Sequence, residues 1–194
     1  MNGDKEKKSS LEFIAIQSIT LARVPLALVF TLSLVFMGQV KKWIVFYFLM
    51  LVVIEATDAF DGIAARHFDI TSELGATLDP YADSISRLVV YWGLAHAGLV
   101  IFFVPLAMAV RDITVAYSRI LLAQKRHTVA ARLSGKIKAV VQSIGSGLVL
   151  FGPFYWEYTG KWVFYFLSWL IITVTLLSMV EYVRDALRVR KIDR

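Results

Sequence analysis

Six long apolar runs alternate with short polar stretches along this chain, at about 13–37, 43–66, 75–97, 99–124, 134–151 and 162–183. Each approaches the ~20 residues that an α-helix needs to cross a bilayer. The pattern predicts an all-α polytopic membrane protein with six transmembrane helices. Residues 38–42 form a short loop, and 67–74 and 125–133 are polar connectors. Gly152 and Pro153 are expected to end the fifth helix, leaving 154–161 as a loop of interfacial aromatics. Pro80 either kinks the third helix or marks its first turn. The domain reading is a cytoplasmic segment over 1–12, a six-helix domain over 13–186 and a basic tail over 187–194. The start, MNGDKEKKSS, is polar and reads as no cleavable signal peptide.

Composition agrees with the pattern. Hydrophobic residues make up 58% of 194 and mean hydropathy is +0.64. Cysteine is absent, which excludes a disulfide framework, a thiolate metal site and a thiol nucleophile. The net charge of +6 is a property of the loops and ends. Lys5, Lys7 and Lys8 precede the first span, Lys125, Arg126 and Arg132 lie mid-chain, and Arg184, Arg188, Arg190, Lys191 and Arg194 close it. The opposite loops hold only Lys41, Lys42 and Lys161. The positive-inside rule therefore puts both termini in the cytoplasm, with basic clusters against anionic lipid headgroups. No nucleic-acid partner is expected.

Against this apolar background, four carboxylates crowd into the middle. Asp58, Asp61, Gly62, Ala65, Arg66, Gly75, Asp79 and Asp83 follow the spacing D-x-x-D-G-x-x-A-R-(x8)-G-x-x-x-D-x-x-x-D. Charge in or near a membrane segment is expensive and marks function by default. On a helix Asp58 and Asp61 lie about 60° apart, and Asp79 and Asp83 about 40° apart. Each pair can address one shared space, where four like charges need cations between them. Hard oxygen donors select Mg²⁺ or Mn²⁺. Helix capping would ask for one acid near a helix start, not four in register with two glycines. Gly62, Ala65 and Gly75 are small enough to let a nucleotide approach the backbone, and Arg66 suits phosphate oxygens. Alone, the small residues would read as helix packing and Arg66 as a snorkelling border residue.

These eight positions resemble, without gap or substitution, the signature of the class I CDP-alcohol phosphatidyltransferase family. The resemblance implies transfer of a phosphatidyl group from CDP-diacylglycerol to an alcohol with release of CMP. It implies two divalent ions on Asp58, Asp61, Asp79 and Asp83, with Asp83 also the general base, and CDP held at Gly62, Ala65, Arg66 and Gly75. It also implies a homodimer, membrane lipids as surroundings and, for the bacterial members, the cytoplasmic membrane. All four aspartates then lie at the cytoplasmic face.

A second cluster bears on the acceptor. Arg111-Asp112 and Arg119, with Gly135-Lys136-Ile137-Lys138-Ala139-Val140-Val141-Gln142, resemble the R-[DE]…R and G-K-x-K-T-x-x-Q segments of bacterial phosphatidylglycerophosphate synthases. Ala139 departs from the Thr of that pattern, Gln17 from the Asn of N-x-x-T-x-x-R, and Ser84 from the Lys after the last aspartate. Arg111, Arg119, Lys136 and Lys138 suit a phosphate monoester, so the expected acceptor is sn-glycerol 3-phosphate. Inositol phosphate is the nearest rival, followed by phosphatidylglycerol. The alternative for these cations is that some only orient helices or bind lipid headgroups. A cation transporter is the alternative of a different class; it would favour internal repeats and interrupted mid-membrane helices, and no repeat is seen. An intact motif disfavours an inactive scaffold.

Overall fold

The structure, a computed structural model, describes the backbone of residues 2–38, 40–67, 73–124 and 133–192, and the side chains of 20–38, 40–57, 78–122, 133–184 and 187. The described residues are helical, with no strand: α1 (Asn2–Met37), α2 (Val40–His67), α3 (Glu73–His96), α4 (Phe103–Gln124), α5 (Leu133–Leu150), α6 (Gly152–Thr159) and α7 (Trp162–Ile192). They divide into two compact units, Met1–Gly93 and Leu94–Arg194.

In the amino-terminal unit α1 packs against α2. Ala27, Phe30 and Leu34 of α1 recur at helical spacing and are buried, as are Tyr47, Leu51 and Ile54 of α2. The Phe30 and Tyr47 rings meet edge to face at 6.0 Å. Gly38 turns the chain with φ +53, a conformation that favours glycine. The Tyr47 hydroxyl donates to the carbonyls of Ser33 and Gly38 at 3.1 and 3.0 Å, tying α2 to the end of α1 and the turn that follows it. α3 comes close to α1 where Gly93 faces Thr31. A Cβ at position 93 would stand 2.8 Å from Thr31 Oγ1, and that hydroxyl donates to the Val89 carbonyl at 2.7 Å.

In the carboxy-terminal unit α7 packs against α4, α5 and α6. Buried positions on α4 follow a 4-3 rhythm: Val104, Met108, Arg111, Val115, Ser118 and Leu122. On α7 they are Ser168, Ile171, Thr175, Ser178 and Tyr182. This is the spacing of a seam between helices. Its small hydroxyl residues allow close approach and supply hydrogen bonds. Ser168 Oγ accepts from the Ile101 N–H at 3.3 Å, and Gln142 Nε2 donates to Thr175 Oγ1 at 3.0 Å.

Several expectations shift. α1 begins at Asn2, well ahead of residue 13, and α7 runs to Ile192, so 184–192 continues the last helix. Residues 99–102 precede α4. The onset expected at Trp43 is a kink inside α2, with φ −105 and ψ 17. Pro80 lies within α3 beyond its first turn. The loop expected over 154–161 is mostly helix: α6 follows α5 after a 75° bend. Pro153 stands at the start of α6, where its missing N–H costs nothing, so it opens a helix as well as ending one.

Thr20–Met37 and Trp162–Arg184 are long and apolar enough to cross a membrane, and the bent α5–α6 pair would make a third span. The chain carries membrane helices, and outward side chains such as Phe36, Val45, Tyr117 and Leu177 are apolar. α4 carries Arg111, Asp112 and Arg119 within its 22 residues, which separates it from a plain lipid-spanning helix.

Candidate active site

In the amino-terminal unit the last turns of α2 carry Asp58, Asp61, Gly62, Ala65 and Arg66, and the first turns of α3 carry Gly75, Asp79 and Asp83. The motif therefore sits on two helix ends flanking one short connector. The side chains of Asp58, Asp61, Ala65 and Arg66, and the surroundings of Gly62 and Gly75, lie outside the described residues. Asp79 is exposed and Asp83 is half-buried one turn later, so the pair offers hard oxygens from one face of α3. Among the described residues no three metal-ligating side chains converge.

Asp83 is held. Its Oδ1 accepts a hydrogen bond from Arg87 Nε at 2.6 Å, the length of a charge-assisted bond. Arg87 is only 8% exposed. It also forms an ion pair with Glu55 Oε2 at 3.7 Å, linking α3 to α2. A guanidinium buried in apolar surroundings persists only with such partners.

The carboxy-terminal unit gathers cations from separate helices. Arg111 Nη1 donates to Asp112 Oδ1 at 2.6 Å and Nη2 to Ser178 Oγ at 3.0 Å. Lys138 Nζ reaches the same Asp112 oxygen at 3.5 Å. Arg119 Nη2 donates to Tyr182 Oη at 3.2 Å. Both arginines also stand against the Tyr182 ring, at 5.6 and 5.4 Å from its centroid. Arg111 and Lys138 are 7% and 4% exposed, and Arg111 Nε is buried with no hydrogen-bond partner among the described residues. Gly135 belongs here too: a Cβ on it would stand 3.6 Å from Tyr182 Oη and 4.0 Å from Arg111 Nη2.

Three of the four sequence-derived acceptor cations thus come together. Lys136 does not join them: it is exposed, and two residues from Lys138 it lies about 200° away around α5. Thr20 and Arg23 of the N-x-x-T-x-x-R pattern are both buried, and Arg23 Nε donates to the Thr20 carbonyl at 3.1 Å. Sequence reading missed Glu55, Arg87, Ser178 and Tyr182. A signal existed for Arg87, which follows Asp83 by one helical turn. None existed for Tyr182, which meets Arg119 only through the fold.

A model of the family described as CDP-alcohol phosphatidyltransferase matches residues 15–180. A probable phosphatidylglycerophosphate synthase of Mycobacterium tuberculosis (strain H37Rv) is 29% identical over 179 residues, covering 88% of this chain and 80% of its own. A CDP-diacylglycerol–glycerol-3-phosphate 3-phosphatidyltransferase of Escherichia coli (strain K12) is 34% identical over 145 residues, covering 71% of this chain and 76% of its own. A protein of the same name from Shigella flexneri serotype 5b matches equally, at 34% over 145 residues.

Proposed function

This chain belongs to the CDP-alcohol phosphatidyltransferase family, and from that premise we propose that it transfers the phosphatidyl group of CDP-diacylglycerol to sn-glycerol 3-phosphate. The products are phosphatidylglycerophosphate and CMP. The names of the Mycobacterium and Escherichia relatives support this reaction.

One observation carries the choice of acceptor: Arg111 and Lys138, both buried, meet on Asp112, and exposed Arg119 joins them through Tyr182. These three side chains bring positive charge from α4 and α5 to one seam. That matches a phosphate monoester, which carries roughly −1.5 to −2 at neutral pH. The unpartnered Arg111 Nε offers such an anion a ready donor.

In the proposed reaction Asp83 takes the proton of the acceptor hydroxyl as that oxygen attacks phosphorus. Arg87 donates to Oδ1, and the proton is assigned to the other oxygen, Oδ2. Asp58, Asp61, Asp79 and Asp83 would hold two Mg²⁺ or Mn²⁺ ions. The open position of Asp79 and the all-oxygen donor set fit hard cations. When bound, such ions neutralise the pyrophosphate and activate its leaving group. Gly62, Ala65 and Gly75 would give the nucleotide close access to the backbone, with Arg66 on its phosphates.

The proposed setting is a bacterial cytoplasmic membrane, with six spans, both termini and the aspartates at the cytoplasmic face, and a homodimer. The distribution of Lys and Arg supports the orientation. The test is CMP release by the purified protein from labelled CDP-diacylglycerol, with glycerol 3-phosphate, inositol phosphate, serine, glycerol and phosphatidylglycerol as acceptors. Glycerol 3-phosphate is expected to be used best. Preference for an unphosphorylated acceptor overturns the assignment of the cluster and of the product, and failure to release CMP with any of them overturns the reaction.

A further inference from the structure

The acidic motif has an unassigned layer one turn beyond it on both helices. On α3, Asp79, Asp83 and Arg87 follow one another at four-residue steps, a column drifting by about 40° per step. On α2, Glu55 precedes Asp58 by three residues, on the side away from the connector. Arg87 ties these two rows together: Nε to Asp83 Oδ1 at 2.6 Å, and Nη2 to Glu55 Oε2 at 3.7 Å. Tyr91, one turn further along α3, is buried and within electrostatic range of both Arg87 and Glu55.

We propose that Arg87, tethered by Glu55, is a positioning residue that fixes the orientation of the Asp83 carboxylate and the register of α2 against α3 beneath the acidic motif. A carboxylate on a free side chain turns about its terminal bond, and that torsion is broad. A guanidinium on Oδ1 removes this freedom and presents Oδ2 in one direction. The tether matters because Arg87 has several rotatable bonds of its own; Glu55 on the neighbouring helix holds the far edge of its planar head. Lysine, a point charge without a planar fork, can replace the charge but not the two-sided hold. Glu55 also places one carboxylate where no ligand role is assigned, which explains an acid that the family signature does not use. The inference rests on Asp83 being the base in the proposed reaction.

A merely structural Arg87 would pin two helices, and its loss would lower activity through folding. The two roles separate by coupling. Groups acting through one another give non-additive losses, whereas independent contributions multiply. The experiment uses full-length protein in detergent or vesicles with labelled CDP-diacylglycerol and glycerol 3-phosphate. Arg87→Leu, Arg87→Lys and Glu55→Gln are each made in the wild-type and the Asp83→Asn backgrounds, with long incubations to resolve residual turnover. In the wild-type background Arg87→Leu is expected to lower kcat by about 10- to 100-fold, the usual effect of removing a group that orients a functional side chain. KM for both substrates should stay within about 2-fold, Arg87→Lys should recover part of the loss, and Glu55→Gln should lose less than Arg87→Leu. In the Asp83→Asn background each further loss should shrink to about 2-fold or less.

Equal losses in the two backgrounds overturn the proposal and leave Arg87 a helix pin, with the base assignment intact. Near-normal kcat in Asp83→Asn alone overturns the base assignment, and the inference falls with it. If Arg87→Leu does not fold, Arg87→Lys and Glu55→Gln carry the same comparison, since both keep most of the packing volume.

Discussion

The two units treat charge in opposite ways. In the amino-terminal unit the carboxylates sit at helix ends beside a connector, with Asp79 exposed and Asp83 half-buried. In the carboxy-terminal unit the cations sit in the interior of α4 and early in α5, mostly buried, their partners already in place. Helix ends suit groups that must take up and release ions and nucleotide, because water can replace the ligand. A packed seam suits groups that need one fixed arrangement, because every rotamer is held by neighbours. Under the proposed function, an acidic motif that turns over and a basic cluster that recognises the acceptor call for different depths in the fold.

The strongest way to break this comparison is at the helix ends. Asp61→Asn is expected to abolish CMP release, and so is excess EDTA. Turnover that persists undiminished in EDTA would sink the two-metal proposal. Next comes Asp83→Asn, expected to cut kcat by roughly 10²–10⁴-fold while metal-dependent CDP-diacylglycerol binding persists. Near-normal kcat would point to another base.

The seam should respond through binding. Arg119→Ala and Lys138→Ala are expected to raise KM for glycerol 3-phosphate by roughly 10- to 150-fold each, the equivalent of about 1.5–3 kcal/mol for a charge-assisted hydrogen bond. Lys136→Ala sharpens the comparison: pointing away from the cluster, it should leave KM nearly unchanged. An equal effect from Lys136 would mean that net charge, not the seam, recruits the acceptor. Arg111→Ala is less clean because it removes the nearer of the two cations from Asp112 and should also reduce folded yield.

The smallest expected effect tests the seam as packing. Thr175→Val removes the acceptor for Gln142 Nε2. Polar contacts between membrane helices average about 0.6 kcal/mol, so a small drop in Tm with unchanged kcat is expected. A large loss of activity would make Gln142 part of the acceptor site.

The same contrast governs what could be read from residues alone. The aspartate motif was legible as a family signature because its members lie at fixed spacing on two consecutive helices. The helices themselves were legible as apolar runs. The basic cluster was half legible. Arg111 and Arg119 share α4, but Lys136 and Lys138 were read as a pair although helical geometry turns them apart. Tyr182 and Ser178 join the cluster from some sixty residues away, a distance that no local spacing reports. Residues 154–161 were read as a loop because Gly-Pro usually stops a helix; here the same pair stops one and starts another.

That Gly-Pro step has a consequence for the backbone's polar groups. A chain that turns near lipid must not strand its peptide groups, because the bilayer offers no water to receive them. Around this corner three of them are engaged: the Phe151 N–H reaches the Gly147 carbonyl at 3.3 Å, Phe154 reaches Phe151 at 3.0 Å, and Gly160 reaches Trp156 at 2.9 Å. The proline contributes no N–H to strand. The glycine leaves a dent that the Trp156 ring fills; a Cβ at position 152 would lie 2.5 Å from that ring. The ring in turn meets Phe164 of α7 edge to face at 5.6 Å. The bend is therefore a sealed elbow, closed by an aromatic plug, and a side chain at position 152 would dislodge the plug before it straightened the chain.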